Sequence, residues 1–277
     1  MIDLAPNHKI GLTVPNPILL AGQTIGYGEA CHKALQTNKL GGVVVGPILR
    51  HSSGGAPVPR LAETPNGMVL AGGLHPRLQN RGVSAVIKRF ANLWPKLGCP
   101  VIAQIAEPDP HALAQVVERL ERTNLLDGLE LLPPRHIDPS LLHNLIQTVI
   151  HHSDLPLWVK LPLENSIQLA KISVEAGASA IVMGQPLMGA ATSMVESRSK
   201  SQLVTGALYG PTTFAPMLAE LTAVAQLQLP CALIACGGIH TVEQVRQALH
   251  YGAHAIQMDS AVWIEPELPS YFVEKLA

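Results

Sequence analysis

The chain has 277 residues, 47% of them hydrophobic and 14% charged, with a formal net charge of −1. So much apolar surface excludes global disorder and is enough for the core of one large domain spanning residues 1–277. With no Lys/Arg run and no interleaved aromatic stripe, nucleic acid and anionic membrane surfaces are not expected as partners.

Taken in chain order, the first predicted strand is 17–21 and the second 42–45. A long connection follows at 50–77, with Pro57, Pro59, Pro65 and Gly67 suggesting a small hairpin, and then a helix ending near Trp94. Strand 101–105 leads to Asp109-Pro110, an N-cap acceptor before a proline at the first helical position. Strand 129–132 leads in the same way to Asp138-Pro139. Strands 157–161 and 180–183 precede a second long connection, 184–210. Strand 232–236 is followed by Thr241 and Gln244 at capping-box spacing, and 255–258 is the eighth strand.

These strands read as continuous apolar runs, as parallel strands buried on both faces do. Eight of them alternating with helices, and no G-x-G-x-x-G after the first, predict a closed (β/α)8 TIM barrel in the α/β class over a doubly wound sheet. Both long connections, the extended loops after strands two and six, leave C-terminal strand ends. They are therefore expected as walls or lids of a site that takes a small-molecule ligand on that face.

No stretch approaches the ~20 apolar residues of a membrane span, and residues 1–10 lack a basic segment followed by an apolar one. A cytoplasmic protein is expected, and Cys31, Cys99, Cys231 and Cys236, which form no C-x-x-C pair, are expected as reduced thiols. Cys236 ends a predicted strand beside Gly237, where an inert buried thiol and a reactive one are both open. His75, His136 and His240 fall near C-terminal strand ends, where a base or a structural histidine is equally at home. Arg60 and Arg135 could face an anionic ligand or be neutralised by Glu63 and Asp138. Neither metal-ligand spacing nor a G-x-S-x-G elbow is present.

The sharpest local motif is Ile234-Ala235-Cys236-Gly237-Gly238-Ile239 before the Thr241-capped helix. Such glycines let backbone N–H groups and a helix N-terminus approach a phosphate, or they serve turn geometry alone. Together with Asn16-Pro17, the stretch from Thr24 to Glu29, Lys39-Leu40-Gly41-Gly42, the run from Pro57 to Met68 and Val159-Lys160-Leu161, the chain resembles the dihydroorotate dehydrogenase family of FMN-dependent barrels, particularly its soluble class.

The resemblance implies FMN as cofactor. Lys160 matches the lysine that contacts the flavin ring, and Gly210, Gly237 and Gly238 match glycines lining the phosphate. Ala21 and Gly22 lie where backbone meets the isoalloxazine, and Ser260 falls in the segment after strand eight. Departures from the family pattern include Gly46 for a lysine, Leu70, Leu132 and Gln185 for asparagines, and Leu132-Pro133-Pro134-Arg135-His136-Ile137 for the segment carrying the catalytic cysteine or serine. Gln104 and Pro186 replace further polar contacts. Oxidising dihydroorotate needs a base for the C5 proton, and Arg135 stays protonated.

Asp259 stands where the family has glycine, and two like charges about 4 Å apart repel by about 4 kcal/mol at an effective dielectric of about 20. Its other reading is a helix N-cap. Two functions follow: an FMN oxidoreductase acting on a substrate other than dihydroorotate, or a non-catalytic barrel, a pseudoenzyme, in a binding or assembly role. A homodimer or partner subunit is implied by the resemblance.

Overall fold

Runs of Val, Ile and Leu that present apolar side chains to both faces need cover on both. The computed structural model, which describes residues 1–31, 33–73, 78–195 and 200–276, provides it with a closed barrel. Its strands are β1 (Ile18–Leu20), β2 (Gly42–Ile48), β3 (Val101–Ile105), β4 (Gly128–Leu131), β5 (Leu157–Leu161), β6 (Ala180–Met183), β7 (Ala232–Cys236) and β8 (Ala255–Met258). They pair in parallel in sequence order, and β8 returns to β1 through Ile256↔Ile18 and Met258↔Leu20, so the sheet has no edge. The protein is thus an α/β barrel of the (β/α)8 type, with strands close to the predicted runs; β2 extends three residues beyond its expected end.

The outer ring is α1 (Val83–Phe90), α2 (Pro110–Glu121), α3 (Pro139–His152), α4 (Ser166–Glu175), α5 (Phe214–Ala225) and α6 (Val242–His250), followed after β8 by α7 (Ser260–Ile264) and α8 (Leu268–Leu276). Between β1 and β2 two 3-10 turns, Lys33–Leu35 and Thr37–Lys39, stand in place of a helix. The predicted caps form: Asp109 accepts from the Ala112 N–H, Asp138 from those of Ser140 and Leu141, and Thr241 with Gln244 makes the reciprocal box. Among the described residues no helix is long and apolar enough to cross a membrane.

Leu19, Val44, Ile102, Trp158, Val182 and Ile234 fill the barrel interior. The antiparallel pair Ile2–Asp3 and Thr13–Val14 brings Leu4, Leu12 and Val14 into the same cluster, where the Trp158 indole donates to the Leu4 carbonyl at 3.2 Å. That end of the barrel is sealed by apolar packing.

At the opposite end the two long connections, expected as walls or lids, are joined to each other. Leu61–Thr64 and Gly67–Leu70 form the predicted hairpin, and Gly67–Leu70 then pairs with Lys200–Tyr209, itself paired with Leu187–Val195. The two insertions are therefore one four-stranded antiparallel sheet. A second pair, Ser52–Gly54 with Gln79–Arg81, closes the base of the first insertion. His75, singled out in the sequence, lies outside the described residues.

Candidate functional site

Strand alternation points Gln104 of β3, Glu130 of β4, Lys160 of β5, Cys236 of β7 and Gln257 of β8 into the C-terminal half of the barrel. All five are buried, Glu130 and Gln257 fully. The Glu130 carboxylate accepts from the Gln104 amide at 2.7 Å and from the Gln257 amide. The Lys160 ammonium donates to Gln257 Oε1 at 3.0 Å and to Cys236 Sγ at 3.1 Å. A carboxylate and an ammonium are thus joined through one glutamine, which is how a low-dielectric interior tolerates both.

Burial works against the Lys160 ammonium, but Cys236, Glu130 and Asp259 outweigh it and hold the group above the ordinary lysine range. Burial, with Asp259 adding to it, pushes the Cys236 thiol up to about 12 against the opposing pull of Lys160. Cys99 rises to about 12 and Cys231 to about 11, burial again being the largest cause. Cys236 is accordingly the inert alternative of the two left open by the sequence.

Above this layer the barrel is closed. Ala21, Gly22 and Lys160 do come together, with Gln104, Leu132, Pro186, Tyr209 and Asp259, around a cavity of only about 10 Å³. Gly237 and Asp259 border a second of about 10 Å³, under Pro186, Leu187 and Met217. Each is about one water in size, whereas small-molecule sites run to roughly 300–1,000 Å³. The flavin implied by the resemblance does not fit between these side chains as they stand. Tyr209 is the largest of them; it is buried, stacks edge-on against Trp263 at 5.0 Å, and its phenol is held above the ordinary tyrosine range by burial and by Asp259.

Gly210, Gly238 and Ser260 border neither cavity. Gly238 has φ +68°, and a Cβ there would stand 2.2 Å from the Phe214 nitrogen; Gly210 has φ +130°, with Asn66 O at 2.4 Å from such a carbon. Close packing of backbone on backbone accounts for both glycines without an anion. Asp259 is the N-cap of α7, accepting from the Ser260 N–H at 2.5 Å and its hydroxyl at 3.2 Å. A carboxylate of the protein itself therefore sits at that helix terminus.

Other candidates resolve into structural roles. Arg135 donates to the Pro186 carbonyl at 2.8 Å and pairs with Glu164, not Asp138. Arg60 is held by the carbonyls of Ala56 and Gly54 and by Gln79 Oε1, and does not pair with Glu63. Gln185 ties strand ends by donating to the carbonyls of Pro133 and Lys160. His254 Nδ1 accepts from the Leu233 N–H at 3.0 Å. His136 is exposed; His240 is half-buried with Nε2 unpartnered, and burial lowers its pKa despite Asp259 and Glu265 nearby. No group of three metal-ligating side chains occurs among the described residues.

Sequence reading missed Glu130 and Tyr209. The signal for Glu130 was a lone charge in the strand Gly128–Leu131, where both faces are buried.

The dihydroorotate dehydrogenase family model matches residues 6–276. The chain is 28% identical over 277 residues to the dihydroorotate dehydrogenase B (NAD(+)), catalytic subunit, of Geotalea uraniireducens, covering 95% of this chain and 89% of that one. It is 30% identical over 274 residues to the dihydroorotate dehydrogenase A (fumarate) of Limosilactobacillus reuteri, covering 92% and 86%.

Three outcomes are expected. Gly238→Ala forces a left-handed residue against the Phe214 backbone and lowers stability in urea by about 1–3 kcal/mol; an unchanged midpoint would count against this packing. Glu130→Ala strands the Lys160 ammonium and costs about 3–5 kcal/mol, much of it recovered in Glu130→Leu/Lys160→Met. At neutral pH, iodoacetamide leaves Cys236 unmodified in the native protein and labels it after denaturation, as peptide mass spectrometry will report; rapid native labelling would mean an open interior.

Proposed function

The chain belongs to the dihydroorotate dehydrogenase family, and from that premise we propose that it serves as a binding or assembly barrel and does not oxidise dihydroorotate. The observation that carries this reading is the filled barrel mouth, where Tyr209, Pro186, Asp259 and Gln104 leave about 10 Å³ beside Lys160.

Two further features support it. The segment after β4 reads Leu132-Pro133-Pro134-Arg135-His136-Ile137; Arg135 is a permanent cation tied to Glu164, and His136 is exposed and borders neither small cavity of the barrel mouth. No base of that segment faces the space beside Lys160. Asp259 occupies the α7 terminus with negative charge, so a phosphate in its neighbourhood meets repulsion instead of free N–H donors. One relative is named as a catalytic subunit, and an assembly role fits a barrel that has kept a place beside a partner chain after its interior filled.

A second reading, a flavin oxidoreductase acting on a less polar substrate, is favoured by one observation. Lys160 is protonated and buried at the position matching the family's flavin-contacting lysine. If the ring were bound, Ala21, Gly22 and Lys160 are the residues that would border it.

The absorption spectrum of the purified protein, before and after excess FMN and removal of the unbound fraction, separates the two. Our proposal expects no retained flavin band in the wild type and measurable retention in Tyr209→Ser/Asp259→Gly, which removes the phenol and the carboxylate together. A near-stoichiometric band in the wild type would sink the proposal and establish the second reading.

A further inference from the structure

A cavity of about 700 Å³ lies beside the barrel mouth. It is bounded by the loop after β1, the end of β2 at Gly46 and Pro47, the ribbon of Ser52–Gly54 and Gln79–Arg81, the edge of the first insertion at Leu70, and one face of α1. Its volume lies within the range of small-molecule sites.

Three arginines line it, Arg60, Arg81 and Arg89, against one carboxylate, Glu29. Glu29 is already engaged by the Tyr27 N–H at 2.6 Å. Among the described residues none of the three guanidinium groups is in an ion pair. Arg60 is half-buried and fixed by three neutral acceptors: the Ala56 carbonyl at 2.6 Å, the Gly54 carbonyl at 2.9 Å and Gln79 Oε1 at 2.9 Å. Those bonds orient its fork and leave its charge uncompensated. Arg81 lies over the Phe90 ring, 5.5 Å from the centroid, which holds its guanidinium plane.

On the same wall, Asn80 is buried, and its Oδ1 accepts from the Gly82 N–H at 2.8 Å, which fixes the turn that carries Arg81. An oriented guanidinium and two further cations are the complement of a small oxyanion, because guanidinium forks match carboxylate and phosphate oxygens in pairs.

We propose that this cleft binds a small organic anion through a carboxylate or phosphate group, with Arg60 as the fixed contact and Arg81 and Arg89 completing the charge. Gln23 borders both this cleft and the small cavity beside Lys160, but the three arginines stand outside the barrel, so the proposal does not depend on whether flavin is retained inside.

The test is isothermal titration calorimetry on the intact protein at constant ionic strength, with inorganic phosphate in one arm and malonate in the other, chloride supplying the background. Saturable binding of either anion is expected, and the responding arm tells phosphate from carboxylate. In Arg81→Gln/Arg89→Gln, two exposed positions that the fold does not depend on, affinity should fall at least tenfold with an unchanged melting temperature. Arg60→Lys, which keeps the charge and loses the fork, should weaken binding as well. The proposal is overturned if neither anion gives saturable heat, or if the double variant binds as tightly as the wild type. Because calorimetry reads this cleft and the flavin spectrum reads the interior, each reading can fail without the other.

Discussion

A carboxylate with no exposure to water stands in the middle of this barrel, and much of the C-terminal half is arranged around keeping it there. Glu130 draws the amides of Gln104 and Gln257 toward itself, and Gln257 in turn presents its oxygen to Lys160. Four strands are committed by those side chains, since none can shift register without breaking a buried polar contact. Gly22 follows from the same arrangement: a Cβ there would lie 2.6 Å from the Gln104 amide.

The layer above shows how an open barrel mouth becomes part of a core. A cavity lined by a buried ammonium and amides invites a ligand or water; Tyr209 closes it with an aromatic ring anchored on Trp263, and Asp259 contributes a charge that Lys160 balances. Aromatic burial contributes hydrophobic stabilisation that an open site forgoes.

Much of the fold was legible because its signals are local. Strands buried on both faces write themselves as unbroken apolar runs, and Asp109, Asp138 and Thr241 cap their helices through atoms at most four residues away. The site was legible only in part. Lys160 and Cys236 stood out, but their partners Glu130 and Gln257 come from other strands, and strand order alone does not reveal which inward side chains meet. Arg135 pairs with Glu164 across 29 residues, where nearer Asp138 was the candidate by proximity in sequence. The joining of the insertions was hidden for the same reason: Leu70 meets Ala207 in a register that neither segment specifies by itself.

That shared sheet also changes what the two insertions are as pieces of the molecule. They leave the barrel from β2 and from β6, on different sides of its mouth, and hydrogen bonds between Gly67–Leu70 and Lys200–Tyr209 bind them into a strap across the end. A strap has no free end. Neither insertion can be lifted away without exposing the ladder that joins Ala207–Tyr209 to Met68–Leu70, so in hydrogen exchange those two stretches open together.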